Sequence, residues 1–456
     1  MTPNMLAIGV VSPIGSKGDL AQYRASVDQL KNVGSVKLCY PGVSYDFASS
    51  FFADINLLQH PSDVALSRNL LTVLKGRSLP RRVSVPEPVN QQSLGMRLMS
   101  KISSFYDESF TLRKMVIPLL TKSLIAQLHS DFDDIDLVLV LGHTLEKSLM
   151  SRYVTSYFYP KFILKKPTII FPFSVSQLGL EESPRRDVSL IKMIMRRIDI
   201  LFLREERSYK YLVRMIGPRK NIFQAADLAF LLSEASTSNV ISKIHKFGID
   251  INKPSIAVAL RSDYFHAYPA HYGQAKFYLF LKKIAKLLDR LIWDFDAFVY
   301  FVPMTIEPGG SMRVRERDDL HTSKECMRYM KNRKKACIIN TLQLNAYEVK
   351  TLLGLMDFLI TTRLHAGILA TSKYVPTLMI LPANDNKAIG VSERLGIKEY
   401  FIDLDYAIEA ELDQLYLMVS KAIKNRDAIR ELLKITIPRE QKLAAIPMTV
   451  LKKIMV

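Results

Sequence analysis

The sequence predicts an α/β protein of two doubly wound halves facing each other, closed by a C-terminal helical segment. Three observations carry this. Short apolar runs alternate with longer helical patterns, the mark of parallel βα units. The rhythm breaks at a Ser/Thr-rich stretch, SEASTSN, and then restarts. From residue 408 onward the pattern is almost wholly helical until Pro447. In such folds ligands gather at the carboxyl ends of strands, between the halves.

In chain order, residues 6–11 read as the first strand and 19–33 as a helix. Later strands of the same half fall at 36–39, 137–141, 168–173, 200–203 and 221–223. This half spans residues 1–235. Within it, residues 62–95 contain LKGRSLPRRVSVPEPVNQQ, where prolines, cations and amides mix. That composition reads as an insertion or mobile loop. Residues 236–254 form a linker. The second half, 255–430, starts with a strand at 256–260 and a strongly amphipathic helix at 277–293. Strands at 297–302, 336–339, 358–361 and 377–381 follow, and residues 431–456 are a helical tail.

Composition narrows the class. The 456 residues are 48% hydrophobic and 23% charged, which excludes collagen-like, coiled-coil and disordered chains. Cys39, Cys326 and Cys337 are odd in number and far apart, so a disulfide framework or zinc knuckle is disfavoured. That usage suits a reducing cytosol. Basic residues outnumber acidic ones 63 to 44, a net charge of +19. Either this is a general lift in isoelectric point, or the surface meets anions such as phosphorylated small molecules or lipid headgroups. The cations are dispersed and no helix-turn-helix, zinc-finger or RNA-binding signature accompanies them, so no nucleic-acid partner is expected. No apolar run reaches the roughly 18 residues of a spanning helix, and MTPNMLAIGVVSPIG lacks a basic leader. A cytoplasmic protein is expected. Contact with the inner face of an anionic membrane stays open, through the 277–293 helix and the ending KKIMV.

Candidate chemistry lies where strands meet helices. After the first strand comes Gly15-Ser16-Lys17-Gly18-Asp19. The order is Gly-Ser-Lys, not the Gly-Lys-Ser of a phosphate loop, and that reading is rejected. Gly15 and Gly18 still allow a tight turn whose N–H groups suit an anion or a carbohydrate. Asp19 lines that site or simply caps the helix. The strongest signal is DFLITTRLHAGILATSKYVP, residues 357–376. A buried strand ends at Thr361-Thr362 and a small-residue helix starts near Ala366. Arg363 and His365 lie between them at i and i+2, where extended backbone puts both on one face. A guanidinium fork matches carboxylate and phosphate oxygens, and the helix N-terminus favours the same anions. A histidine there suits general acid–base chemistry. Lys387 follows on a loop after the next strand and adds a cation at that edge. Arg204, just past the 200–203 strand, faces Arg363 across the cleft so that the two clamp one dianion. His143, after the 137–141 strand, either lines the cleft or is a satisfied polar residue. The 308–319 run, PGGSMRVRERDD, reads as a solvated loop. His266 and His271 show no metal-ligand spacing, no HExxH or paired-Asp motif occurs, and no metal or cofactor is expected.

At these residues the sequence resembles the polysaccharide pyruvyl transferase family. The likeness is most specific in TTRLHAGILATSKYVPTLMI with Lys387 and GVSERLGI downstream. Gly-x-x-Gly-Asp near the N-terminus, DLVLVLGHTLE, the Phe-Leu-Arg-x-x-x-Ser strand end and the Ala226-Asp227-Leu228-Ala229 step support it. The usual Asn-containing first loop here has Ser16-Lys17, and the Gly-rich turn has His143-Thr144. Both departures fall on the acceptor side. The resemblance implies two Rossmann-like domains in a glycosyltransferase-B-like fold, with phosphoenolpyruvate as donor and a ketal formed on a sugar of a cell-surface or exopolysaccharide precursor. It implies donor binding by Arg204, Arg363 and Lys387, proton transfer by His365, and a glycan or lipid-linked sugar acceptor near Gly15, Gly18, Asp19 and His143. Alternatives are a nucleotide-sugar-dependent glycosyltransferase and a catalytically silent carbohydrate-binding relative.

Overall fold

The computed structural model describes residues 3–8, 16–40, 56–59, 134–145, 154–163, 165–176, 180–181, 183, 185–250, 252–262, 264–265, 270–306 and 318–454. Gly15, the 62–95 segment, His266 and most of the 308–319 run lie outside them.

The N-terminal sheet holds β1 (Asn4–Ile8), β2 (Ser35–Tyr40), β3 (Asn56–Gln59), β4 (Leu137–Val140), β5 (Thr144–Leu145), β6 (Thr168–Val175), β7 (Ile200–Leu203) and β8 (Ile222–Gln224). Its order is β3-β2-β1-β4-β6-β7-β8, with β5 beside β6, and every pairing is parallel. Strands β1, β4, β6 and β7 are apolar on both faces, as a sheet covered on both sides requires. Four side chains of β4 and all eight of β6 are buried. Among the described residues, the α-helices of this half are α1 (Lys17–Leu30), α2 (Arg185–Arg197) and α3 (Glu206–Ile216).

Helix α4 (Thr237–Ile244) leads to the second sheet: β9 (Ser255–Ala259), β10 (Phe298–Phe301), β11 (Ala336–Ile338), β12 (Phe358–Thr361), β13 (Thr377–Leu381) and β14 (Phe401–Asp403). The order β11-β10-β9-β12-β13-β14 is again all parallel. It reverses between β9 and β12, so the crevice at a doubly wound sheet's switch point opens beside the carboxyl end of β12. Around this sheet run α5 (Ala270–Phe295), α6 (Asp319–Tyr329), α7 (Ala346–Gly354), α8 (Leu364–Thr371) and α9 (Asn386–Arg394).

The chain closes with α10 (Leu404–Glu409), α11 (Leu412–Lys424), α12 (Arg426–Ala444) and α13 (Ile446–Ile454). Helix continues past Pro447, because proline in a first turn lacks only an N–H with no intrahelical acceptor. Helix α12 returns to the N-terminal half, where Gln441 Nε2 donates to the Phe230 carbonyl at 3.5 Å. Strands β3, β5 and β14 are not expected from the sequence: β3 (NLLQ) has polar residues at both ends, and β5 (TL) and β14 (FID) hold only two and three residues. No helix among the described residues is long and apolar enough to cross a membrane. On α5, Lys276 pairs with Asp405 and Glu409, Arg290 pairs with Asp413, and Lys283 donates to the carbonyls of Ile408 and Ala410. These partners offset much of that helix's positive charge.

The halves are docked closely. Ser16 bridges Thr305 in antiparallel fashion, and the Lys17 backbone N–H donates to the Met304 carbonyl at 2.7 Å. Lys17 Nζ, itself buried, reaches the Leu344 carbonyl at 2.7 Å. Further along α1, Arg24 Nε donates to Tyr347 Oη, which donates to Asp28. One hydrophobic cluster runs from Met5 and Tyr23 in the first half to Leu359 and Ile368 in the second.

Candidate active site

Arg363 is the residue on which β12 becomes α8. Its backbone is extended (φ −117°, ψ 115°) and it is the helix N-cap. Thr361 Oγ1 accepts the Arg363 N–H at 2.8 Å and donates to its carbonyl at 3.0 Å. Thr362 Oγ1 accepts the Arg261 N–H at 2.6 Å, tying this turn to the end of β9. The two threonines thus lock the turn at the switch point. The helix starts at Leu364, two residues earlier than the composition suggests, so His365 is its second residue. Arg363 and His365 therefore do not share a strand face. They diverge around a helix start, Arg363 toward α6 and His365 toward the other half.

Arg363 meets Asp319 through two hydrogen bonds, one from Nε at 3.0 Å and one from Nη2. Asp319 is fully buried, and its Oδ2 also accepts the N–H groups of Met304 and Thr305 at 3.0 and 2.9 Å. Such a two-point pairing fixes the guanidinium plane. Asp319 closes the 308–319 run read from sequence as a solvated loop. The signal that distinguishes it is its place after Asp318, which caps α6 by accepting the Leu320 N–H at 2.7 Å.

Arg204 is turned inward, and this corrects the expected clamp across the cleft. Its side chain is 4% exposed. Nη1 donates to Asp227 at 2.8 Å, Nε to Ser174 Oγ at 3.0 Å, and Nη2 to the His143 carbonyl at 3.0 Å. A buried guanidinium needs acceptors for its donors, and the N-terminal half supplies them. Arg204 organises that half rather than sharing a dianion with Arg363. Burial pushes the Asp227 carboxyl up, but Arg204, His365 and the Ala229 N–H together outweigh it and hold the group well below the usual carboxylate range.

His365 crosses to this cluster. Its buried Nε2 stands 3.5 Å from Asp227 Oδ2, an ion-pair approach short of a made hydrogen bond. The ring lies against Gly18 at the start of α1, where a Cβ built on the glycine would sit 2.5 Å from Nδ1. Gly18 is therefore needed as a space. Asp19 is a half-buried first-turn residue whose N–H is accepted by Ser16 Oγ at 3.3 Å, so Ser16 is the cap and Asp19 is not. The Lys17 ammonium is lowered to about 8, because burial outweighs attraction to Glu348.

Lys387 lies in the first turn of α9, not on a loop. Asp385 caps that helix and accepts the Lys387 N–H at 3.2 Å. The helix starts one strand over from Arg363, at the same edge of the sheet. Glu205, next to Arg204, packs under α9, where a Cβ on Gly390 would meet its Cβ at 2.7 Å. Burial raises the Glu205 pKa, opposed by Arg204, by hydrogen bonds from Ser208 and Ser174, and by Lys387.

His143 does not line the cleft. It is 4% exposed, stacks on Phe173 with ring centroids 5.8 Å apart, donates from Nδ1 to the Leu141 carbonyl at 3.0 Å, and meets Tyr157 Oη at Nε2. Burial pushes it down to about 3, against the Leu141 hydrogen bond and aided by Arg204. Among the described residues, no group of three or more His, Cys, Asp or Glu side chains is placed to hold a metal ion.

The sequence profile of polysaccharide pyruvyl transferases matches residues 17–384. The chain belongs to the polysaccharide pyruvyl transferase family. That span includes the α1 start, Arg204, Asp227, Asp319 and the Arg363-Leu364-His365 turn, and stops just short of Lys387. No curated protein matches the chain. Among solved structures, a UDP-GlcNAc 2-epimerase from Neisseria meningitidis bound to UDP-GlcNAc aligns at 11% identity and TM-score 0.57, covering 99% of this chain and 100% of that one. A UDP-N-acetylglucosamine 2-epimerase described for Listeria monocytogenes aligns at 12% and 0.54, covering 98% and 94%. TcCGT1 in complex with UDP aligns at 11% and 0.54, covering 100% and 99%. These likenesses carry the fold: two Rossmann-like domains in the glycosyltransferase-B-like arrangement, closed by C-terminal helices.

Two outcomes follow for the variants. Gly18→Ala should displace the His365 ring or push α1 back, costing about 1–3 kcal/mol in chemical denaturation. A variant with unchanged stability and unchanged turnover contradicts the close packing. His143 takes a proton near pH 6.5 when unfolded but only at about 3 when folded. Folding stability should therefore fall on acidification from pH 6.5 to about 3, by about 1.4 kcal/mol per pH unit from this group. His143→Gln should flatten that slope, and an unchanged slope would show that His143 is not held neutral.

Proposed function

We propose that the chain is a transferase that moves pyruvate from phosphoenolpyruvate to a sugar of a polysaccharide precursor, as a ketal, with release of inorganic phosphate. The observation that supports this reading best is the Arg363–His365 turn. It places a fixed guanidinium and an imidazole at one helix start, at the sheet's switch point, within the span matched to the family.

The chemistry asks for both groups. A proton adds to the methylene carbon of the donor, leaving an oxocarbenium-like centre at the neighbouring carbon. One sugar hydroxyl attacks that carbon and the carbon–oxygen bond to phosphate breaks. A second hydroxyl closes the ketal. Of the two hydroxyl protons, one balances the new methyl group and the other leaves with phosphate. In this reading Arg363, oriented by Asp319, binds the donor's carboxylate or phosphate, and the helix start adds its dipole. His365 supplies the proton. Lys387 adds a phosphate contact from the start of α9. Arg204 serves by holding Asp227 rather than by touching the donor. The acceptor sugar, free or lipid-linked, enters beside Gly18 and Asp19. The residues ask for no metal or cofactor beyond the donor.

The test is phosphate release from phosphoenolpyruvate in a screen of acceptor glycans, read together with the mass gain of the acceptor and repeated with a chelator. Arg363→Ala should weaken both donor affinity and turnover, with only partial rescue by Arg363→Lys. His365→Gln should retain donor binding while turnover falls about 100-fold or more. Release of a nucleoside diphosphate from a nucleotide sugar instead would select glycosyl transfer. Turnover of neither donor across the screen would select a carbohydrate-binding relative.

A further inference from the structure

We propose that Asp227 of the N-terminal half is the positioning residue for His365 of the C-terminal half, so that Nε2 is held and Nδ1, beside Gly18, is the nitrogen that exchanges the proton. The inference rests on the proposed use of His365 in proton transfer and goes beyond it by naming the orienting group and the working atom.

The geometry supplies the argument. Asp227 follows β8 and starts a short 3-10 turn, Leu228–Leu231. Its Oδ1 accepts the Ala229 N–H at 2.9 Å. Its Oδ2 accepts Arg204 Nη1 at 2.8 Å and Gln22 Nε2 at 2.5 Å, and both partners are buried. These contacts fix the carboxylate before His365 arrives. Local capping and the Arg204 pair already satisfy Asp227, so the approach of His365 Nε2 to 3.5 Å is not needed to keep the carboxylate buried. It is a contact made for the histidine. His365 has reason to need it, because a helix start disfavours positive charge on its second residue. A fixed anion at Nε2 offsets that and selects the tautomer with the proton on Nε2. The ring's other nitrogen then lies against the start of α1, where the acceptor is proposed to enter.

The two atoms belong to different halves, so the histidine is set only when the halves are docked. The C-terminal half carries the imidazole and the N-terminal half determines how it is presented. A ring held at Nε2 by a carboxylate and open at Nδ1 to a substrate is an acid–base dyad divided between domains.

The test begins with the unsubstituted protein, labelled with 15N-histidine. The His365 ring is assigned by its loss in His365→Gln, and the neutral ring is read in long-range 1H–15N spectra. The proposal expects the Nε2–H tautomer; the Nδ1–H tautomer overturns it. The second arm is Asp227→Asn, which keeps the shape and removes the charge, with folding checked by its thermal transition. Turnover should fall about 10-fold or more while KM for phosphoenolpyruvate stays within about 3-fold. Unchanged turnover, or a loss confined to KM, overturns the positioning role. If the unsubstituted chain releases no phosphate from phosphoenolpyruvate, the tautomer still decides the Asp227–His365 pairing, so the two failures are read separately.

Discussion

The buried pair of Arg204 and Asp227 is the constraint from which the site is built. Two charges taken out of water cost several kcal/mol each unless their remaining donors and acceptors are satisfied. Here Ser174, the His143 carbonyl, Gln22 and the Ala229 N–H do this, drawing β4, β6, β7, β8 and α1 to one point. The result is a carboxylate held in place at the carboxyl edge of the first sheet, facing the second. His365 meets it there.

The C-terminal half repeats the device. Asp319 holds Arg363 as Asp227 holds Arg204, and it also accepts two backbone N–H groups at residues 304 and 305. Those two residues carry the contacts of Ser16 and Lys17 at the start of α1. A continuous chain of contacts therefore runs from Arg363 through Asp319 and the 304–305 backbone to α1, and from Gly18 back to His365. The proposed donor and acceptor sides are joined by it. A displacement of α1 by a fraction of an ångström would be felt at the imidazole, which explains why residue 18 has no room for a side chain.

Much of this was legible in the sequence. The strands from 137 to 203 and from 256 to 381 announce themselves because a doubly covered sheet demands continuous apolar runs. The Arg363–His365 turn stood out because two such residues after a buried strand are costly without a purpose. What was missed depends on tertiary partners. Nothing local distinguishes an arginine that reaches across a cleft from one that turns inward to a carboxylate 23 residues later, as Arg204 does. The buried Asp319 reads as the end of a charged loop because its partner lies 44 residues away. Helix α8 starts two residues before the sequence pattern suggests because Arg363 caps it through its backbone, with no capping side chain to mark the boundary. The sequence leaves His143 a cleft residue or, preferably, a satisfied polar one, and its enclosure by Tyr157 and Phe173 makes it the second.

The proposed dyad joins a histidine carried by one half to a carboxylate fixed in the other. A double-mutant cycle on turnover tests it most directly, using Asp227→Asn, His365→Gln and the two together, all with confirmed folding. Residues that act as a unit are not additive. The double variant should turn over within about 2-fold of His365→Gln alone, because Asp227 has nothing left to position. A double variant whose loss equals the product of the two single losses would show that the residues act independently, and the account built on their contact would be wrong.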